Sequence, residues 1–140
     1  MISFSTADTA FKYKAKAPVR KWLELFSVSK SFVLSNLSIV FCSDEFLLKM
    51  NVEYLQHDYY TDIISFDYSD GTSIAGELFI SVDRVRDNAN ALNKSFESEL
   101  LRVIAHGVLH LMGYKDKSKA DQKKMRSEED AAILLYSGLF

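Results

Sequence analysis

A chain of 140 residues, 48% of them hydrophobic and 26% charged, has the length of one domain and the apolar content of one core, which excludes an intrinsically disordered chain. The formal net charge of −2 says little about partners, but its distribution is uneven: residues 1–43 carry six basic residues against two acidic, 44–99 four against twelve, and 100–140 seven against five. A single cysteine, Cys42, excludes a disulfide framework or thiolate cluster. With no apolar run long enough to span a bilayer and no basic-then-apolar leader, the expectation is a soluble cytoplasmic protein without membrane contact.

Met1 to Ser5 reads as a short strand. A helix follows from Ala17 to about Val28, with Pro18 early enough that its missing N–H costs nothing and with Val19, Trp22, Leu23 and Phe26 as its apolar stripe. Leu37 to Cys42 is a strand. Ser43 is an N-cap before Asp44 and Glu45, opening a helix to about Tyr54. The stretch HDYYTD is a loop. Ile63–Tyr68 and Glu77–Ile80 are strands joined by a turn at Gly71, and Ser81 caps a helix to about Leu92. Ser95 opens the next helix, to about Met112, with Leu100, Val103, Ile104, Val108 and Leu111 at helical spacing and Gly113 as its stop. Ser118 with Asp121 resembles a capping box and opens a last helix to about Tyr136, stopped by Gly138. The expected fold is α+β: a single compact domain over 1–140 with about four strands in a mixed sheet and about five helices.

The chemistry concentrates in HGVLHLMGYKD, residues 106–116. Two of the three histidines stand there four apart, hence about 40° apart on one helix face at the edge of the apolar stripe. Glu99 falls near the same angle two turns earlier. Gly107 removes side-chain bulk and lets another segment or a ligand approach. After Gly113 the chain can fold back, so that Asp116 faces the imidazoles. Two histidines and one aspartate with a fourth position open form a catalytic zinc ligand set. The spacing alone equally allows two hydrogen-bonded helix histidines beside a surface aspartate. The HExxH pattern of metallopeptidases would place a glutamate where Gly107 stands.

These residues resemble the YbeY family of bacterial metal-dependent endoribonucleases. His106-Gly107-Val108-Leu109-His110-Leu111-Met112-Gly113-Tyr114 is similar to its HGxLHLxGYDH signature, Thr61-Asp62-Ile63-Ile64-Ser65-Phe66 to its TDVLSF, and Gly76-Glu77-Leu78-Phe79-Ile80-Ser81 to its GDIxIS. Three positions depart from the pattern. Asp116 stands where the family has its third histidine, Lys115 where it has an aspartate, and Leu55 where it has an arginine after the retained Asn51. His57, Lys49 or a basic terminal segment could compensate for that arginine.

The resemblance implies a zincin-like metal-binding core and one Zn²⁺ held by His106, His110 and Asp116, with other divalent ions admitted because a carboxylate replaces an imidazole. It implies single-strand-specific RNA cleavage in ribosomal RNA maturation, at the 16S rRNA 3′ end, and in ribosome quality control. Expected partners are ribosomal RNA and the small ribosomal subunit or its proteins. Candidate catalytic residues are Arg102, as a cation for the phosphate, and Asp62 and Ser65, as a strand edge beside the metal. Arg102 could also be a solvent-facing helix arginine, and Asp62 a local loop cap. Thr61 reads as structural, and Tyr59 and Tyr60 could stack on bases. Two other functions compete. One is a metal-dependent hydrolase of another class, such as a peptidase. The other is a non-catalytic ribosome-associated protein whose metal is structural, with His57 as fourth ligand.

Overall fold

Four serines set where helices begin. In the computed structural model, which describes residues 1–140, Ser43, Ser81, Ser95 and Ser118 each have extended backbone. Each hydroxyl accepts from the N–H three residues on, at Phe46, Arg84, Ser98 and Asp121. Each such cap contributes on the order of 1 kcal/mol by satisfying an orphan donor of the first turn. The element order is β1 (Ile2–Thr6), α1 (Lys16–Ser29), β2 (Val33–Cys42), α2 (Asp44–Leu55), β3 (Ile63–Asp67), β4 (Ser73–Ser81), α3 (Val82–Ala91), α4 (Phe96–Leu111) and α5 (Lys119–Leu139).

The four strands form one mixed sheet in the order β1-β2-β4-β3, with β1, β2 and β4 parallel and β3 antiparallel to β4. Period-two alternation splits the strands between two faces. Leu37, Ile39, Phe41, Ile74, Leu78 and Ile80 join Trp22, Leu23 and Phe26 of α1 and the stripe of α4 in the main core. Cys42 and Ile64 face the other way, toward Leu47 of α2. Burial pushes the Cys42 thiol up to about 12, so it is a neutral core residue at physiological pH.

Two features bring α4 to the edge strand. At Gly107 an added Cβ would stand 2.7 Å from Cδ1 of Ile63 and 2.9 Å from Cδ2 of Leu78. The segment that approaches this glycine is therefore the sheet itself. At Gly76 an added Cβ would stand 2.5 Å from the backbone oxygen of Phe66 and 3.0 Å from Cδ2 of Leu111. The backbone atom cannot swing aside as a side chain can, so β3 would have to move. Gly76→Ala is expected to lower stability by about 1–3 kcal/mol, read as a reduced urea midpoint with unchanged slope. A midpoint equal to wild type would contradict this packing.

The structure extends three elements beyond the sequence expectation. β2 begins at Val33 and β4 at Ser73 because Val33 pairs with Ser73 and Leu34 with Ile74 before an irregularity at Leu34/Asn36. Helix α5 passes through Gly138 to Leu139. Gly138 has open space around it, and a glycine there weakens a helix without breaking it. The two basic ends of the chain do meet. Trp22 Nε1 of α1 donates to the Ala132 carbonyl of α5 at 2.7 Å, and Lys30 pairs with Glu128 at 2.5 Å. No helix is long and apolar enough to cross a membrane.

Candidate metal centre

Helix α4 ends in a Schellman arrangement. Gly113 takes the left-handed conformation (φ 101°). Its N–H donates to the His110 carbonyl, and the Tyr114 N–H donates to that of Leu109. The chain reverses at this point, which returns Asp116 to the face bearing the histidines. His106 Nε2 and His110 Nε2 stand 3.0 Å apart, and Asp116 Oδ2 lies 3.2 Å from the first and 3.3 Å from the second. These are the three side chains whose ligand atoms cluster closely enough to hold an ion.

The hydrogen bonds of the outer nitrogens fix which atoms face inward. His110 Nδ1 lies 3.0 Å from the Tyr114 carbonyl oxygen, which only accepts, so Nδ1 carries the proton. His106 Nδ1 lies 2.6 Å from Glu129 Oε2. Burial alone would raise the pKa of Glu129. The His106 hydrogen bond, with the charges of His106, Arg102 and Arg126, outweighs this and holds it below its ordinary value, so it too accepts. With both Nδ1 atoms engaged as donors, the two Nε2 atoms and a carboxylate oxygen converge on one point, a set that a shared cation can hold together. Ligands at about 2.0–2.1 Å around a tetrahedral zinc stand roughly 3.3 Å apart, close to the separations found. The donor set therefore fits a divalent ion with two nitrogens, one oxygen and an open fourth position.

Glu129 is a site residue that the sequence reading did not single out. It is 2% exposed and sits on α5 between Met125 and Ala132, both buried. A carboxylate on an otherwise apolar stripe is the signal that could have found it, because such a group needs a partner. Its second oxygen lies 3.4 Å from Arg102. Arg102 is neither solvent-facing nor free. Its guanidinium makes two short contacts to buried Glu99, at 2.6 and 2.9 Å, and lies 3.5 Å from Asp62. The hydrogen bond to Glu99 raises the Arg102 pKa still further, against burial. Asp62 is raised above its usual range, because burial outweighs the charges of Arg102 and His106. His106 is likewise raised, because the Glu129 hydrogen bond and charge overcome burial.

A cleft of about 550 Å³ opens over these three side chains. Leu55, Thr61, Asp62, Ile63, Ser65, Asp67, His106, His110, Asp116 and Lys117 are among its walls. The structure thus brings Asp62 and Ser65 to the same cleft as the ligand set, with Arg102 behind Asp62. Strand β3 is the sheet edge here. The Ser81 N–H donates to the Asp62 carbonyl and the Tyr68 N–H to that of Ala75. By the alternation of antiparallel ladders, Ile63, Ser65 and Asp67 turn their backbone groups away from β4.

Other expected residues lie elsewhere. His57 is exposed, its Nδ1 against the Tyr59 hydroxyl at 3.0 Å, outside the ligand group. Tyr60 donates to Glu45 at 2.6 Å and lies under Arg84. Buried Asn51 holds the loop that follows it, its side chain donating to the Tyr59 carbonyl and its own carbonyl accepting from the His57 N–H.

Comparison with known proteins agrees across the chain. The sequence profile of the family described as Endoribonuclease YbeY matches residues 1–136. A Flavobacterium johnsoniae protein named Endoribonuclease YbeY is 50% identical over 136 residues, 97% of each chain. One of the same name from Cytophaga hutchinsonii is 46% identical over 135 residues, covering 96% of this chain and 94% of that one. Among solved structures, the solution structure of a Thermotoga maritima protein superposes with a TM-score of 0.69 at 24% identity, covering 99% of this chain and 90% of that one.

Proposed function

Because the chain belongs to the Endoribonuclease YbeY family, we propose that it is a metal-dependent endoribonuclease that cuts single-stranded RNA. Its proposed substrate is precursor ribosomal RNA in the cytoplasm, in contact with the small ribosomal subunit. The observation that carries the reading is the convergence of three acceptor atoms beneath an open cleft. His106, His110 and Asp116 would hold the ion, proposed to be Zn²⁺. When bound, it would supply a Lewis acid for a phosphoryl oxygen and lower the pKa of water toward neutrality. Glu129 and the Tyr114 carbonyl keep the Nδ1 protons in place, so that both Nε2 atoms stay available. Asp62, on the cleft wall, orients the attacking water or the substrate, and the outward backbone of Ser65 offers a donor and an acceptor to the bound strand. Arg102 acts through Asp62, Glu99 and Glu129 as a positioning residue.

Two alternatives fare worse on particular residues. A peptidase of the HExxH type takes its general base from a glutamate where Gly107 stands, so a proteolytic mechanism would need its base from elsewhere, and Glu129 is committed to His106 and Arg102. A structural zinc takes four protein ligands, and His57 is turned to Tyr59.

The test pairs elemental analysis with cleavage of a single-stranded oligoribonucleotide. About one ion per chain is expected, with cleavage lost on chelation and restored by metal. Cleavage that survives complete removal of the ion would overturn the reading. Asp116→Asn is expected to weaken metal affinity about 10–100-fold, taking the effect of an outer-shell loss as a lower guide, because it keeps shape and removes the ligand charge. Competition with a chromophoric chelator measures this. Equal affinity and equal cleavage would remove Asp116 from the ligand set.

A further inference from the structure

The cleft over the ligands is poor in positive charge. Asp62, Asp67 and Asp116 line it, and the one lysine or arginine on its wall is Lys117. Arg102 lies behind that wall, shared among three carboxylates. Asp116 points to the histidines, while its neighbour Lys117 is exposed and forms no salt bridge. Across the loop from the cleft, Lys115 and Lys124, with Asp121 as the one acid, line a second depression beside Tyr114. The Lys124 ammonium stands 5.8 Å from the Tyr114 ring centre. In the other direction Leu55 is apolar, and Glu53 of α2 and Asp58 of the loop after it lie beside Lys49.

A phosphodiester carries a negative charge and must approach a wall bearing three carboxylates. The ligand carboxylate already offsets part of any bound ion's charge. A mobile ammonium at the rim is the group that makes the approach favourable. We propose that Lys117 binds the phosphate of the nucleotide over the ligand set. The single strand then leaves across the 113–117 loop toward Lys115 and Lys124, not past Leu55. The loop that returns Asp116 to the histidines would in this way also carry the substrate-binding cation. The inference rests on the ribonuclease reading above.

The experiment uses the full metal-loaded chain. Binding is followed by fluorescence anisotropy with a single-stranded oligodeoxyribonucleotide, which has the same phosphates, and cleavage with the matching oligoribonucleotide. Lys117→Gln is expected to reduce the slope of log affinity against log salt by about 0.7 and affinity by about fivefold at 0.1 M salt, the loss of one phosphate contact on a single strand. The double variant Lys115→Gln, Lys124→Gln should roughly double the slope change. Lys49→Gln should leave both unchanged. Metal affinity, measured by chelator competition, should be the same in all of them.

Wild-type slope and affinity in Lys117→Gln, with wild type itself cleaving RNA, would overturn this assignment and leave the ribonuclease reading standing. So would a Lys49→Gln effect larger than that of Lys117→Gln, or a loss confined to variants with weakened metal binding. A loaded wild type that neither binds nor cuts either strand would overturn both.

Discussion

A protein carrying His106→Ala together with His110→Ala is expected to purify folded, with metal content near zero and RNA cleavage at background. Both imidazoles are only part-buried, with side chains 19% and 30% exposed, and the apolar stripe of α4 is untouched by the change. Alanine is also the stronger helix former. What disappears is two of three ligands. Asp116, 41% exposed, is a single carboxylate in water, too weak a site to keep an ion through purification. The buried Glu129 carboxylate loses the His106 proton but keeps Arg102, so fold loss is not the expected outcome. Circular dichroism and a thermal melt check the fold, and elemental analysis checks the ion. Undiminished metal stoichiometry in the double variant would place the metal elsewhere.

How far the fold and site could be read in advance follows from the range of the interactions. The caps at Ser43, Ser81, Ser95 and Ser118 are local, each decided by a hydroxyl and an N–H three residues on, and they are legible in sequence. The His106–His110 pair and the turn at Gly113 are local as well, so the grouping of His106, His110 and Asp116 could be anticipated from eleven consecutive residues. The opening residues of β2 and β4 were not legible. Val33–Asn36 and Ser73–Gly76 have no strong strand composition of their own and are held by pairing with each other, forty residues apart. The same holds for the support of the site. That Arg102 meets Glu99 is a local (i, i+3) pairing, but its contacts to Asp62 and Glu129 depend on how α4 packs against β3 and α5. Glu129 itself, 23 residues after His106, was visible only as a charge in an apolar stripe.

Glu129→Gln tests that hidden contact. The substitution keeps volume and geometry and removes one charge. The ionised carboxylate fixes the Nδ1 proton of His106, makes its Nε2 a better donor to a metal and stands 2.6 Å away. A glutamine amide can turn either its oxygen or its NH₂ group to that nitrogen, and in the second case the proton moves to Nε2 and blocks ligation. Metal affinity is therefore expected to fall by about 10–100-fold. The optical spectrum of the cobalt-substituted protein should keep its shape once saturated, because the three ligands remain. Folding stability should change much less, since Arg102 retains Glu99 and Asp62. Glu129→Asp keeps the charge but shortens the reach, and should recover part of the affinity at most. A purely structural role for Glu129, bracing α4 against α5, gives the opposite pattern: a lower melting temperature with metal affinity equal to wild type. That result would end the assignment of Glu129 as the residue that orients His106.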